Sequence, residues 1–437
     1  MRCRLSLFFC LFAGLLQVAL RAGLDVRVVV ETNGDGYVFA TMEDFHKLYP
    51  RHQDFIRMGN TRQRESLAAL RLLGVPEQKV IFLSYPDRGT PALWSPHWSR
   101  RLPYLSPYSG DTRSPYPRTF NPAAVFAGED LLADLRTILK DFRPDLISLP
   151  HPNDVHPDHR GLSAFARLAV ALNEHEDPSY RPRLLAYLVH RHDFPEPQGL
   201  QPARPLRPPA ALAGLPPGVP WLGLELDSGE VELKARAVRT FASQLPLMRG
   251  LLEGFIRSNE LFQSIELSLL PERASGELLD PCSWVDAEGR PILPVQRDPV
   301  RDVLLRKLLP AADLVEVYAA SSPHGGIEVC TRLDGSAQKE LEYELRLTVA
   351  GLDGVRVFRA GGHAGGLPLL RRGPFLAASF PAAPTGRSWF VAVEAEVRQS
   401  VMGLLDQTAW TLLAVEPSFP AENNQRAGAN PAVRIVQ

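Results

Sequence analysis

Cysteine is scarce: the 437 residues hold four. Cys3, Cys10, Cys282 and Cys330 are too few and too scattered for a disulfide framework, and no pair has the spacing of a thiolate zinc site. Charge of one sign is lacking too. The 48 Lys+Arg and 49 Asp+Glu leave a formal net charge of -1, which excludes the overall character of a basic nucleic-acid binder or an acidic disordered chain. No heptad run and no internal repeat occur, so coiled coils and solenoids are set aside. The longest apolar run, Leu5–Leu20, is short of the ~20 residues of a membrane span.

Hydrophobic residues make up 45% of the chain, enough for a sizeable core, and the length suggests two or three domains. Proline is plentiful: 40 residues, about 9% against the usual ~5%. Long proline-pinned loops follow, and a helical bundle does not.

The amino terminus admits three readings. Met-Arg-Cys-Arg followed by LSLFFCLFAGLLQVAL has the basic start and apolar middle of a secretory signal, although no A-x-A cleavage site stands out. A membrane anchor through residues 5–20 is the second. The third is a buried helix, with Leu11, Phe12, Leu15, Leu16, Ala19 and Leu20 on one stripe, Arg21 in the last turn and Gly23 as C-cap. The third goes with a cytoplasmic location, the others with export or membrane association. Periodicity alone does not separate them.

From Asp25 the pattern alternates. Strands are expected at Val26–Val30, Val80–Ser84, Leu146–Pro150 and Leu184–His190. Helices are expected at Thr61–Leu73, Glu129–Asp141, about Gly161–Asn173, and Glu230–Phe262. Short apolar strands alternating with amphipathic helices predict a Rossmann-like α/β fold, a mostly parallel sheet with helices on both faces. Two irregular stretches interrupt it. Pro86–Phe126 reads as an ordered, aromatic-rich lid, and Phe194–Trp221 as a proline-rich surface excursion. After Pro281, segments such as IEVCTRL, YELRLTV and WFVAVEAEV alternate between Gly, Pro and Asp turns, the pattern of an antiparallel β-sandwich-like domain. The boundaries read as 1–270 for the α/β domain and 281–437 for the β-rich one.

Ligands of parallel sheets sit beyond the carboxyl ends of the strands. One of those places carries a dense cluster, HPNDVHPDHR, with His151, Asn153, Asp154, His156, Asp158, His159 and Arg160. Three of the chain's 11 histidines fall in nine residues, between a strand and a helix. Imidazoles and carboxylates held at a strand end suit zinc. Asp158 stands where a carboxylate can cap a helix start. The plainer alternative is a polar, capped turn whose histidines only hydrogen-bond.

HPNDVHPDH resembles the second signature of the LmbE-like (PIG-L) zinc-dependent N-acetylglucosaminide deacetylases. TRQRESLAALRLLGV, VIFLSYPDRG, KARAVRTFASQ and FIRSNELF extend the resemblance, in order, over roughly residues 11–265. The β-rich domain is outside it. The resemblance implies a Zn²⁺ cofactor and hydrolysis of an N-acetylated sugar conjugate, with no nucleic acid involved. It implies His159 as a metal ligand and His156 as the histidine that stabilises an oxyanion or protonates the amine. Asp158 would orient its neighbours. Arg62, ahead of Glu65, would contact substrate, and Asp87 would accept from a sugar hydroxyl. For Arg62 and Glu65 an i,i+3 pair on a solvated helix face is the competing reading.

The resemblance also implies something this sequence lacks. The family's early His-Pro-Asp-Asp motif, which supplies two zinc ligands and the general base, has no counterpart, since no His or Asp precedes Asp25. The first strand of the domain is therefore expected to be missing and turnover to be impaired. Three accounts fit: a start assigned too late in the gene, decay of the site, or migration of other carboxylates, such as Asp35 or Asp154, into it. A non-catalytic carbohydrate-binding or interaction protein is the alternative function. The sugar, the aglycone and the oligomeric state are not encoded in any motif.

Overall fold

The computed structural model describes residues 4–8, 13–212, 219–298, 309–322, 325–351, 354–362, 366–381, 388–415 and 435–436. The chain divides into two compact units, one of Met1–Ala213, Val219–Glu266 and Glu422–Gln437, the other of Gly214–Gly218 and Leu267–Ala421.

In the first unit, β1 (Arg4–Phe8), α1 (Ala13–Arg21), β2 (Asp25–Thr32), α2 (Val38–Asp44), α3 (His52–Leu72) and β3 (Val80–Tyr85) come first. After them follow α4 (Thr90–Trp94), α5 (Gly128–Phe142), β4 (Leu146–Pro150), α6 (Pro157–Glu176) and β5 (Arg183–Tyr187). The unit continues with β6 (Trp221–Glu225), α7 (Ser228–Val238), α8 (Leu245–Gly254) and β7 (Asn259–Ile265). The sheet order is β6-β7-β5-β4-β1-β2-β3, extended beyond β6 by Ile435–Val436. The five strands from β5 to β3 are parallel; β7 and β6 add antiparallel. Helices α1, α3 and α7 pack together as one group, and α4, α5 and α6 as another. Such a sheet is covered on both faces, which is why its strands read as apolar runs.

The strand expected to be missing is present. Arg4–Phe8 lies between β2 and β4, with Leu5 opposite Val26 on one side and Leu146 on the other. Leu5 is fully buried. A short apolar run fits either a strand or a buried helix; the gap between β2 and β4 makes it a strand, because the alternative leaves two unpaired edges in mid-sheet. The helical reading holds for the second half of the run, where α1 begins at Ala13 and ends before Gly23 at φ 71°. Leu11 and Phe12 lie outside the described residues. No helix among the described residues is long and apolar enough to cross a membrane.

The single helix expected over Glu230–Phe262 is in fact α7, α8 and most of β7. Asp227 caps α7 by accepting from the Glu230 N–H at 2.8 Å. Pro246 opens α8 at its first turn and Gly254 closes it. NELFQSI then pairs antiparallel to β5.

The second unit is two sheets around one core. Its strands are β8 (Ser268–Leu269), β9 (Gln296–Arg297), β10 (Leu314–Ser321), β11 (Ile327–Leu333), β12 (Glu342–Gly351) and β13 (Gly354–Gly361). The rest are β14 (Leu370–Arg372), β15 (Phe375–Phe380), β16 (Ser388–Gln399), β17 (Gly403–Gln407) and β18 (Thr411–Ala414). One sheet runs β14-β15-β11-β10-β9 and the other β13-β12-β16-β18-β8, with β17 on β16. Alternate residues such as Val317, Val329, Leu345, Leu347, Val391 and Val393 point into the shared core, the arrangement that period-two patterning requires.

Candidate active site

The loops that leave β2, β3, β4 and β5 meet at one edge of the parallel sheet around a cavity of about 370 Å³. Each contributes charged or hydrogen-bonding side chains: Asn33 after β2, Asp87 and Arg88 after β3, His156 and His159 after β4, and His190 after β5. Arg62 and Gln63 reach the same space from α3.

Asp154 organises the loop after β4. It is fully buried. Its Oδ2 accepts from His159 Nδ1 and from the backbone N–H groups of Val189 and His190, each at 3.0 Å, and its Oδ1 accepts from the His156 N–H at 2.9 Å. Burial works to raise its pKa, but the neighbouring His159 imidazole and the hydrogen bonds prevail and hold the carboxylate well below its usual range. This ion ties the loop after β4 to the end of β5. It also holds three imidazoles in a triangle: the ring centroids of His156, His159 and His190 lie 5.0 to 5.1 Å apart. Burial, with repulsion from His159, lowers the pKa of His156 to about 2 and of His190 to about 4. Both rings are therefore neutral at pH 7, with bare nitrogen lone pairs.

Asp158 does not cap its own helix. Its Oδ2 accepts from the Arg88 N–H at 2.6 Å, and its Oδ1 from Thr90 N and Oγ1 at 3.2 and 3.0 Å. It thereby caps the start of α4. Arg88 sits at φ 59°, a left-handed conformation that turns its N–H onto the carboxylate. The Thr90 hydroxyl, with a single proton to share, also lies 2.9 Å from Glu31 Oε1. Burial and the adjoining Asp87 carboxylate, which shares a hydrogen bond with it, raise the Asp158 pKa well above the ordinary value. Burial and Asp158 do the same to Glu31.

Asp87 is buried and accepts from the Gly36 N–H at 2.7 Å. A side chain at Gly36 would place its Cβ 2.8 Å from the same carboxylate oxygen and 2.4 Å from the Tyr108 ring. Arg62 is only 7% exposed. One Nη1 hydrogen bond goes to the Gly34 carbonyl, while Nε and Nη2 are buried without a partner. Glu65 instead accepts from Ser243 N and Oγ, at 2.8 and 2.7 Å. The solvated Arg62–Glu65 helix pair is therefore not what forms.

The two carboxylates named as possible migrants do other work. Asp154 is the hub just described. Asp35 accepts from Tyr116 Oη at 2.6 Å, and burial together with Asp87 raises its pKa to about 7. His151, first of the motif, faces away from the cavity: it hydrogen-bonds Gln263 Oε1 at 2.8 Å and stacks on Trp221. His190 was missed because the expected strand ran over it; β5 ends at Tyr187, so His190 lies just past a strand end, where ligand-facing residues belong.

The donor set suits zinc in kind, with buried imidazole and carboxylate, but not in the family's position. Of the ligands that the family pattern implies, His159 is here, and β1 (RLSLF) brings neither His nor Asp. Asp87, His156 and Asp158 place one ligand atom each within 4.8 Å of one another.

Residues 9–170 match the PIG-L family, described as GlcNAc-PI de-N-acetylase. No curated protein matches the chain. Among solved structures, N,N'-diacetylchitobiose deacetylase from Pyrococcus horikoshii is similar at 18% identity and a TM-score of 0.37, over 60% of this chain and 84% of that one. GalB, the 4-carboxy-2-hydroxymuconate hydratase of Pseudomonas putida, is similar at 16% identity and a TM-score of 0.37, over 63% of this chain and 100% of that one. The conserved protein TT1542 from Thermus thermophilus is similar at 18% identity and a TM-score of 0.36, over 61% and 95%.

Proposed function

We propose that the α/β unit binds an N-acetylated sugar conjugate in this cavity and hydrolyses its acetamide, with turnover impaired by the absence of the family's early motif. The observation that carries the reading is the neutral His156 imidazole lining one cavity with Asp87 and with the unpartnered donors of Arg62. A volume of about 370 Å³ falls in the range of small-molecule sites.

The roles follow from chemistry. A buried guanidinium with unmet donors favours an anionic or hydroxyl-rich group on the substrate. Asp87 accepts from a sugar hydroxyl. His156 Nδ1 has no partner; with the ring proton on Nε2, the imidazole can donate to the carbonyl oxygen as negative charge develops. The amine leaves as a poor leaving group unless protonated, and the imidazoles are the groups able to pass that proton. No residue of β1 serves as general base, because none is acidic.

That same lack favours a second reading, a carbohydrate-binding protein without turnover. One experiment separates the two. The purified chain is incubated with GlcNAc-phosphatidylinositol or N,N'-diacetylchitobiose, and free amine and binding heat are followed together. Amine release that His156→Ala abolishes and Arg62→Gln weakens supports the hydrolase. Binding without amine supports the second reading, and neither signal removes both.

A further inference from the structure

We propose that this chain holds a divalent transition-metal ion, zinc foremost, between Asp87, His156 and Asp158, away from the family position built on His159. The ion would serve the hydrolysis proposed above, and to that extent rests on it; ion binding itself does not.

Three observations converge. Among the described residues, these are the three His, Cys, Asp or Glu side chains whose ligand atoms all come within 4.8 Å of one another. His156 Nδ1 is buried and has no hydrogen-bond partner. It stands 4.0 Å from Asp158 Oδ2, too far for a hydrogen bond. That separation is instead near what two ligands of one ion adopt, since bonds of about 2.0–2.2 Å put neighbouring ligand atoms roughly 3–4 Å apart. Finally, both carboxylates are buried and face each other, an arrangement that a shared cation relieves.

The surroundings hold the ligands as metal sites are held. Gly36 N–H fixes Asp87, and Arg88 N–H and Thr90 fix Asp158; such outer partners orient first ligands. One imidazole with two carboxylates fits Zn²⁺, Mn²⁺ or Fe²⁺ better than Ca²⁺ or Mg²⁺, which take all-oxygen sets, or Cu⁺, which takes thiolates. Three protein ligands leave a position open, and Asp87 and His156 both line the cavity. With Nδ1 on the ion, His156 keeps its Nε2 proton for the carbonyl. His159 takes a different part: its Nδ1 is bound to Asp154, and among the described residues it belongs to no close trio of ligands.

The test uses the full chain, stripped with a chelator, dialysed and titrated with Zn²⁺ or Co²⁺. Metal content and the visible Co²⁺ bands are the readouts, and circular dichroism checks the fold of each variant. The expected result is one ion per chain, affinity lowered tenfold or more in Asp87→Asn and in His156→Ala, and affinity within threefold of wild type in His159→Gln. Zinc should raise the Tm of the wild type and leave that of Asp87→Asn unmoved, a second readout that does not depend on the band intensities. Loss of the ion in His159→Gln with Asp87→Asn unaffected would overturn the proposal in favour of the family position. No ion at millimolar zinc would overturn it outright. An ion-loaded chain that releases no amine leaves the site standing and removes the hydrolysis.

Discussion

The histidines of one motif separate by what their nitrogens touch. His151 is fully enclosed, and burial lowers its pKa to about 4. The unfolded chain takes up that proton near pH 6.5, the folded chain does not. His151 therefore contributes stability that is complete above pH 6.5 and lost as pH falls towards 4. The loss by pH 5 is on the order of 2 kcal/mol. Thermal melts of wild type and His151→Gln between pH 7.5 and 5 check this: the Tm of the wild type should fall more steeply. Equal slopes would mean that His151 titrates normally in the folded chain. At this scale the sequence showed which residues are chemically able but not which face the cavity. His156 and His159 are visible as a pair because they are three residues apart, at the N-cap and in the first turn of α6. His190 lies 31 residues past His159 and joins them because β5 pairs with β4, Asp154 accepts the His190 N–H and the His190 carbonyl accepts from the Val155 N–H.

Between elements, one buried carboxylate sets how α1 meets the sheet. Glu260 of β7 accepts from the N–H groups of Gly14 and Leu15 at 2.8 Å each, the unpaired donors of a helix start, and pairs with Lys234 of α7 at 2.7 Å. Both side chains are fully buried. Glu260→Gln strands a buried ammonium and should cost about 3–5 kcal/mol. Lys234→Met leaves the carboxylate its two N–H donors and should cost less, about 1–3 kcal/mol. Urea unfolding of both variants gives the order, and a larger loss in Lys234→Met would contradict it. Strands and helices were legible wherever their period was strong and their ends were marked. Leu146–Pro150 is such a case, with its expected bounds kept. The region 230–262 was not, because apolar residues at helical spacing continue through Pro246, Gly254 and into β7. A local pattern does not register that a strand partner, β5, is waiting there.

The molecule as a whole carries two cores of different texture. In the unit of Leu267–Ala421, the residues Val329, Leu345, Leu347 and Val393 are fully buried between its sheets. A core of that kind should fold without the rest. A fragment of residues 267–415 is expected to show a β-type circular dichroism spectrum and one cooperative thermal transition. A spectrum without a transition would mean that its core does not form alone. The PIG-L-type match at residues 9–170 leaves this unit without an assigned task.

The sequence by itself determined the alternation of strands and helices, the change to antiparallel strands in the second half, and the crowding of imidazole and carboxylate after β4. All of these are local: side-chain period, turn residues and consecutive neighbours are written along the chain. Tertiary structure alone decided that Arg4–Phe8 fills the sheet between β2 and β4. It also decided that Asp154 serves as a hub, that His190 completes the triangle, and that Asp87 meets Asp158 from 71 residues away. Those facts depend on which strand ends lie side by side, and sheet order is fixed by long-range pairing and burial, which no short window of residues contains.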